Sequence, residues 1–153
     1  MPKIVLVNPE IPPNTGNIAR TCAATATELH LVEPLGFELS DRYLKRAGLD
    51  YWPHVNLQVH PSIDSFHQYQ QNAGGRLIGF TTKSTYSYTK INYRDDDWLL
   101  FGSESQGLSK DVLGTCDYTA KIPMPHSSVR SLNLSVSAAI GLFEALRQLG
   151  HLV

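Results

Sequence analysis

The 153-residue chain has no uninterrupted apolar run of membrane-spanning length, and no basic-then-apolar leader follows Met1, Pro2 and Lys3. The expectation is a protein that is neither membrane-inserted nor secreted. Cysteine is scarce: Cys22 and Cys116 are the only two, and neither has a CxxC partner. Both therefore read as packing residues in a reduced cytoplasm rather than as disulfide partners or metal ligands. Neither sign of charge is in excess, since 13 Lys+Arg against 14 Asp+Glu leave a formal charge of −1. That balance excludes a globally basic polyanion binder and leaves room for a local basic patch. Repeats, low-complexity tracts and linkers are missing too, so residues 1–153 are expected to form one domain. Hydrophobic residues at 42% and charged residues at 18% suffice to fill its core.

Short apolar runs punctuate the chain. Lys3-Ile4-Val5-Leu6-Val7 is β-branched and apolar without alternation, the pattern of a strand buried on both faces. Pro9, Pro12 and Pro13 forbid a continued ladder, and Asn14 or Thr15 can cap a helix running through Ile18, Cys22 and Ala26. Leu29-His30-Leu31-Val32, residues 55–59, Leu77-Ile78-Gly79-Phe80, Trp98-Leu99-Leu100-Phe101 and Ala120-Lys121-Ile122 read as further strands. Residues 41–46 read as a short basic helix and 64–72 as a polar-faced one. In the last helix Leu134, Ala138, Leu142, Ala145, Leu146 and Leu149 keep three-and-four spacing. Strands alternating with helices predict an α/β fold, a mostly parallel sheet flanked by helices. Ligand sites in such folds lie beyond the carboxyl ends of the strands, which directs attention to the loops after Val7, Phe80, Phe101 and Ile122.

Familiar site chemistries fail on residue identity. Residues 102–109 have P-loop spacing, but Leu108 stands where the lysine must be and Glu104 would face phosphate. Around Ser105 a nucleophile elbow lacks its first glycine, because Ser103 stands there. No GxGxxG follows any strand. His54, His60 and His67 are six and seven apart, a spacing that suits no zinc pattern, so solvated or hydrogen-bonded surface histidines and no metal are expected.

Three glycine-, proline- and polar-rich loops remain, each after an apolar strand: PPNTGNIARTC from Pro12, FGSESQGL from Phe101, and IPM running on to RSLNLS from Ile122. Together, and in this order, they resemble the three motifs of the SPOUT (trefoil-knot) RNA methyltransferases, in particular the small TrmL/CspR-type tRNA ribose 2′-O-methyltransferases. The match spans essentially the whole chain. The resemblance implies a C-terminal trefoil knot and a homodimer whose active sites draw residues from both subunits. It also implies S-adenosyl-L-methionine as methyl donor, with S-adenosyl-L-homocysteine as product. The implied substrate is the wobble cytidine or modified uridine of tRNA, in leucine tRNAs. Rival readings are a 2′-O-methyltransferase of another RNA, such as rRNA, and a knotted RNA-binding factor without catalysis. Ala19, Ala23, Ala26 and the leucines of the last helix suit either a dimer interface or plain core.

By position, the resemblance assigns Phe80, Gly102, Ile122, Ser131 and Leu132 to the cofactor pocket and Asn14, Arg20, Glu104, Ser131 and Asn133 to catalysis. At Gly102 a Cβ would collide with the ligand. In the family Arg20's counterpart serves as base, supplied across the dimer. A guanidinium is effectively always protonated, so a phosphate clamp that steadies oxyanion charge fits its chemistry better. Glu104 would orient Arg20 or hold a loop through backbone N–H groups, and Asn133 would cap the last helix. One departure from the family is Phe143, where relatives often carry tyrosine. For RNA, Arg42, Lys45 and Arg46 share a helical face, a phosphate-binding or simply solvated one. Lys83, Tyr86, Tyr88 and Lys90 interleave charge and aromatic rings, as an unstacked base would require.

Overall fold

The computed structural model describes residues 1–40, 51–126 and 128–152. The expected basic helix with Arg42, Lys45 and Arg46 lies outside them. Six strands, β1 (Lys3–Val7), β2 (Leu29–Val32), β3 (Leu57–His60), β4 (Leu77–Phe80), β5 (Trp98–Phe101) and β6 (Tyr118–Ala120), form one sheet in the order β3-β2-β1-β5-β4-β6. Every pairing is parallel, with Ile4 opposite Leu29 on one side and Leu99 on the other. The α-helices among the described residues are α1 (Pro12–Thr25), α2 (Ile63–Ala73), α3 (Lys110–Thr115) and α4 (Leu134–Gln148).

Both sheet faces are covered, which is why the strands are apolar throughout rather than alternating. Ile4 and Leu6 point to one face, joining Leu29, Leu31, Leu99 and Phe101 beneath α1 and α4. Val5 and Val7 point to the other, joining Phe66 of α2, Trp98, Leu100 and Val112 of α3. Each fully buried aliphatic side chain contributes roughly 1.5–3 kcal/mol, so the four from Ile4 to Val7 anchor the centre of the sheet. Ala19 and the leucines at 134, 142 and 146 are core of this kind, whereas Ala23 is half-buried and Ala26 exposed. Burial pushes the Cys22 and Cys116 thiols up to about 12, as packing residues require.

Four expectations need correcting. Helix α1 starts at Pro12 with Ile11 as its cap residue, so neither Asn14 nor Thr15 caps it; proline is at home in a first turn, where its missing N–H is no loss. β3 begins two residues later than the apolar pattern suggested, and β6 ends before Lys121. His30 and His60 are not surface residues but 0% and 6% exposed, with His30 Nδ1 2.9 Å from His60 Nε2 and His30 Nε2 3.1 Å from Glu28 Oε2. Finally α3 escapes the apolar pattern, since six residues are too few to show a period; Ser109 caps it by accepting from Val112 N at 3.2 Å. No helix among the described residues is long and apolar enough to cross a membrane.

Candidate functional site

A cavity of about 710 Å³ opens at the carboxyl ends of β1, β4, β5 and β6. Its walls come from the loops singled out by sequence: Ile11 and Asn14 after β1, residues 80–83 at the end of β4, 101–108 at the end of β5, and Ile122 and Met124 after β6. Residues 130–134 complete it at the start of α4. Phe80, Gly102, Ile122, Ser131 and Leu132 therefore face one space together with Asn14, Glu104 and Asn133. Lys83 stands on its wall as well. The volume suits a small ligand of nucleoside size, and the lining has the usual apolar body with a few convergent polar groups.

A chain of hydrogen bonds joins the three loops. Asn133 caps α4, its Oδ1 accepting from Ser135 N at 2.8 Å and Val136 N at 3.3 Å. Because those N–H groups can only donate, the Asn133 amide is oriented, and its Nδ2 donates to Asn14 Oδ1 at 3.0 Å. Asn14 Nδ2 in turn donates to Glu104 Oε2 at 3.2 Å. The polarity thus runs consistently from a helix N-terminus to a carboxylate, leaving one N–H on each amide for a ligand. Glu104 also accepts from Glu10 N and Ile11 N, both at 2.8 Å. It satisfies donors at the start of α1 that have no partner within the helix. The carboxylate is engaged in holding the first loop, and within the chain none of these bonds goes to Arg20.

Arg20 itself is not among the cavity-lining residues. It lies on the exposed side of α1, its guanidinium 4.7 Å from the centre of the Tyr51 ring, a cation–π contact. Gly102 is required for a different reason than expected. A Cβ there would overlap the backbone of Gly107 and Leu108, so glycine lets the loop close on itself at the cavity wall. Phe80 stacks on Phe101 with ring centres 4.6 Å apart, and Gly141 of α4 leaves room for that pair, since a Cβ would lie 2.9 Å from the Phe80 ring. In the Lys83–Lys90 loop, Tyr88 is half-buried and its carbonyl accepts from Tyr93 OH at 2.7 Å, while Tyr86 is 52% exposed. Phe143 is 43% exposed, away from the core.

Sequence reasoning overlooked Glu10, Phe101, Thr81, Thr82 and Arg130. The last four line the cavity and lie in or beside the loops already singled out, so strand ends alone could have found them. Among the described residues no group of three or more His, Cys, Asp or Glu is placed to hold a metal ion.

Comparison with known proteins agrees with this geometry. The model of the SpoU rRNA methylase family matches residues 1–143. A protein of Photorhabdus asymbiotica named tRNA (cytidine(34)-2′-O)-methyltransferase is 46% identical over 155 residues, covering 99% of this chain and 96% of its own. A solved structure described as giving insights into 2-OH methylation of C/U34 on tRNA superposes with a TM-score of 0.94 at 49% identity, covering 98% and 97%. The SpoU methyltransferase AviRb of Streptomyces viridochromogenes, solved in complex with the cofactor AdoMet, superposes with a TM-score of 0.87 at 26% identity, over 97% of this chain and 60% of that one. With the motifs converging on one cavity and the match running over nearly its whole length, the chain belongs to the SpoU rRNA methylase family.

Proposed function

We propose that this chain is an S-adenosyl-L-methionine-dependent tRNA ribose 2′-O-methyltransferase acting on nucleotide 34, the wobble cytidine or uridine, in leucine tRNAs. The observation that carries the reading is the single cavity in which three separate loops are tied by the Asn133, Asn14 and Glu104 hydrogen bonds. The relative and the solved structure named for position 34 of tRNA are 46% and 49% identical to this chain. That outweighs the ribosomal wording of the family name as a guide to substrate. The AdoMet complex of a family member supports the methyl donor.

The residues present fit that donor. Phe80, Phe101, Ile122 and Leu132 offer an apolar slot for a purine, and the loop backbone at 102–108 and 130–133 offers hydrogen-bonding groups beside it. When bound, S-adenosyl-L-methionine supplies an electrophilic sulfonium methyl. The chain's own task is alignment, because an in-line displacement gains most from holding the ribose hydroxyl at the right distance and angle. Asn14 and Asn133 each keep one N–H free for that purpose, while Glu104 and the α4 cap fix both amides. Arg20 holds a phosphate and steadies developing negative charge on the hydroxyl oxygen, as a permanently protonated guanidinium can. Lys83, on the cavity wall, adds a second cationic contact for RNA.

Arg20's absence from the cavity lining supports a homodimer in which it serves the partner's cavity. Ile11 at the cap of α1, and Val136 and Phe143 on α4, all exposed, are available for such contact. The trefoil knot is part of the same reading. The segment between β4 and β5 lies over α4, with Ile91 and Tyr93 buried alongside Leu142 and Leu146 and Tyr93 N donating to Gln148 Oε1 at 3.2 Å. A cytoplasmic location accords with a tRNA substrate. The test is incubation of the purified protein with bulk tRNA and, in parallel, rRNA, each with labelled S-adenosyl-L-methionine, followed by mapping of 2′-O-methyl groups. Methylation confined to position 34 of leucine tRNAs is expected; label in rRNA only, or none, refutes the proposal.

A further inference from the structure

Glu10 lies just ahead of α1, and its side chain reaches across to the second loop. Its Oε1 accepts from Ser105 N at 3.0 Å and from Ser105 Oγ at 2.6 Å. Its own N–H donates to Glu104 Oε1 at 2.8 Å. Residues 10 and 104–105 are therefore clasped reciprocally, each loop offering a carboxylate to the other's donors. The turn that Glu10 grips is closed on itself by Gly107 N donating to Ser103 O at 2.9 Å, with Gln106 N donating to Ser103 Oγ at 3.3 Å. Ser105, Gln106 and Gly107 line the cavity, whereas Glu10 is not among the lining residues.

We infer that Glu10 is a positioning residue: acting through Ser105, it sets how closely the 103–107 turn approaches the ligand in the cavity. The inference rests on the reading of that cavity as the S-adenosyl-L-methionine site. Both bonds from Ser105 end on the same oxygen, so a carboxamide can keep them with its carbonyl while a methyl group cannot. The bonds from Ser105 also hold the Glu10 carboxyl below its usual value, so the clasp stays ionised through the neutral range. Glu104 stays in place in either variant, because the groups it accepts from are the backbone of residues 10 and 11 and Asn14.

The experiment compares wild type, Glu10→Ala and Glu10→Gln by calorimetric titration with S-adenosyl-L-methionine, by steady-state methylation of tRNA, and by amide exchange of the ligand-free proteins. Glu10→Ala is expected to weaken donor binding roughly three- to tenfold, the scale of losing a charge-assisted pair of hydrogen bonds at an exposed site. It should raise the KM for the donor to match and leave kcat within about twofold, because remote binding groups act on affinity. Glu10→Gln should restore wild-type affinity. In the exchange experiment the Ser105 amide should lose protection in Glu10→Ala and regain it in Glu10→Gln. Wild-type affinity in Glu10→Ala, or equal exchange at Ser105 in all three proteins, overturns the inference. If wild type fails to bind the donor, the cofactor assignment falls, while exchange at Ser105 still decides for or against the clasp.

Discussion

Lowering the pH from about 7.5 to about 5.5 should weaken the fold through His30 and His60, the side chains whose ordinary range lies in that interval. Glu28 can only accept, so His30 Nε2 carries the proton of that pair, and His30 Nδ1 accepts from His60 Nε2–H. Around them are Phe66, Tyr69 and Trp98, with the Lys3 ammonium 4.5 Å from the Trp98 ring centre. Desolvation is the first cause that lowers both imidazoles below 6.5; the His60 and Lys3 charges lower His30 further, and the Glu28 hydrogen bond opposes this. A pKa lower in the fold than in the unfolded chain means that the unfolded state binds more protons, so stability falls as pH falls through and below 6.5. Over those two pH units a histidine barred from protonation costs about 1.4 kcal/mol, and two cost about 2.7 kcal/mol. A second proton on His30 requires His60 to change tautomer and accept through Nε2, and His60 can charge at Nδ1 and still donate, so these figures are upper limits on the loss. For a chain of this size the fall in Tm is at most roughly 11 °C. Thermal unfolding at the two pH values measures it, with His30→Gln as the control in which the difference shrinks by about half or more. An unchanged Tm in wild type, or the full difference surviving in His30→Gln, would refute the reasoning.

Three substitutions probe the site. Arg20→Ala should abolish methylation yet leave donor affinity nearly intact, because Arg20 lies outside the cavity lining; turnover assays with titrations decide, and normal turnover contradicts the role given to it. Glu104→Ala removes the acceptor of two backbone N–H groups and of Asn14, which should cost about 1–3 kcal/mol and lower Tm by several degrees, with loss of turnover; calorimetry that finds no shift would show that water replaces the carboxylate at no cost. Gly141→Ala gains about 1 kcal/mol of helix propensity but drives the Phe80 ring toward the cavity, so Tm should hold while donor affinity drops, and unchanged affinity would place the purine elsewhere.

Much of the architecture was legible because it depends on local composition. Ile4 to Val7 and Trp98 to Phe101 are apolar without alternation, which only a strand covered on both faces tolerates, and the three-and-four spacing in α4 matches its buried side. The loops that build the cavity could be named in advance, since parallel strands direct all their carboxyl ends to one edge. Where single residues were misjudged, the cause was a partner far away in the chain. Asn14 looked like a cap until Glu104, 90 residues on, and Asn133, 119 residues on, were seen to bond it. His60 looked like a surface residue until it proved to be the partner of His30, with both rings against Phe66 of α2.

Periodicity and motif order thus determined the α/β class, the parallel sheet and the family resemblance, because each is written within a few neighbouring residues. Tertiary structure alone decided that Glu104 buttresses a loop, that Gly102 yields to its own backbone, that Arg20 lies outside the cavity lining, and that Glu10 reaches Ser105. Those are relations between side chains brought together by the sheet order. No property of either residue alone encodes the distance or the direction of the bond between them.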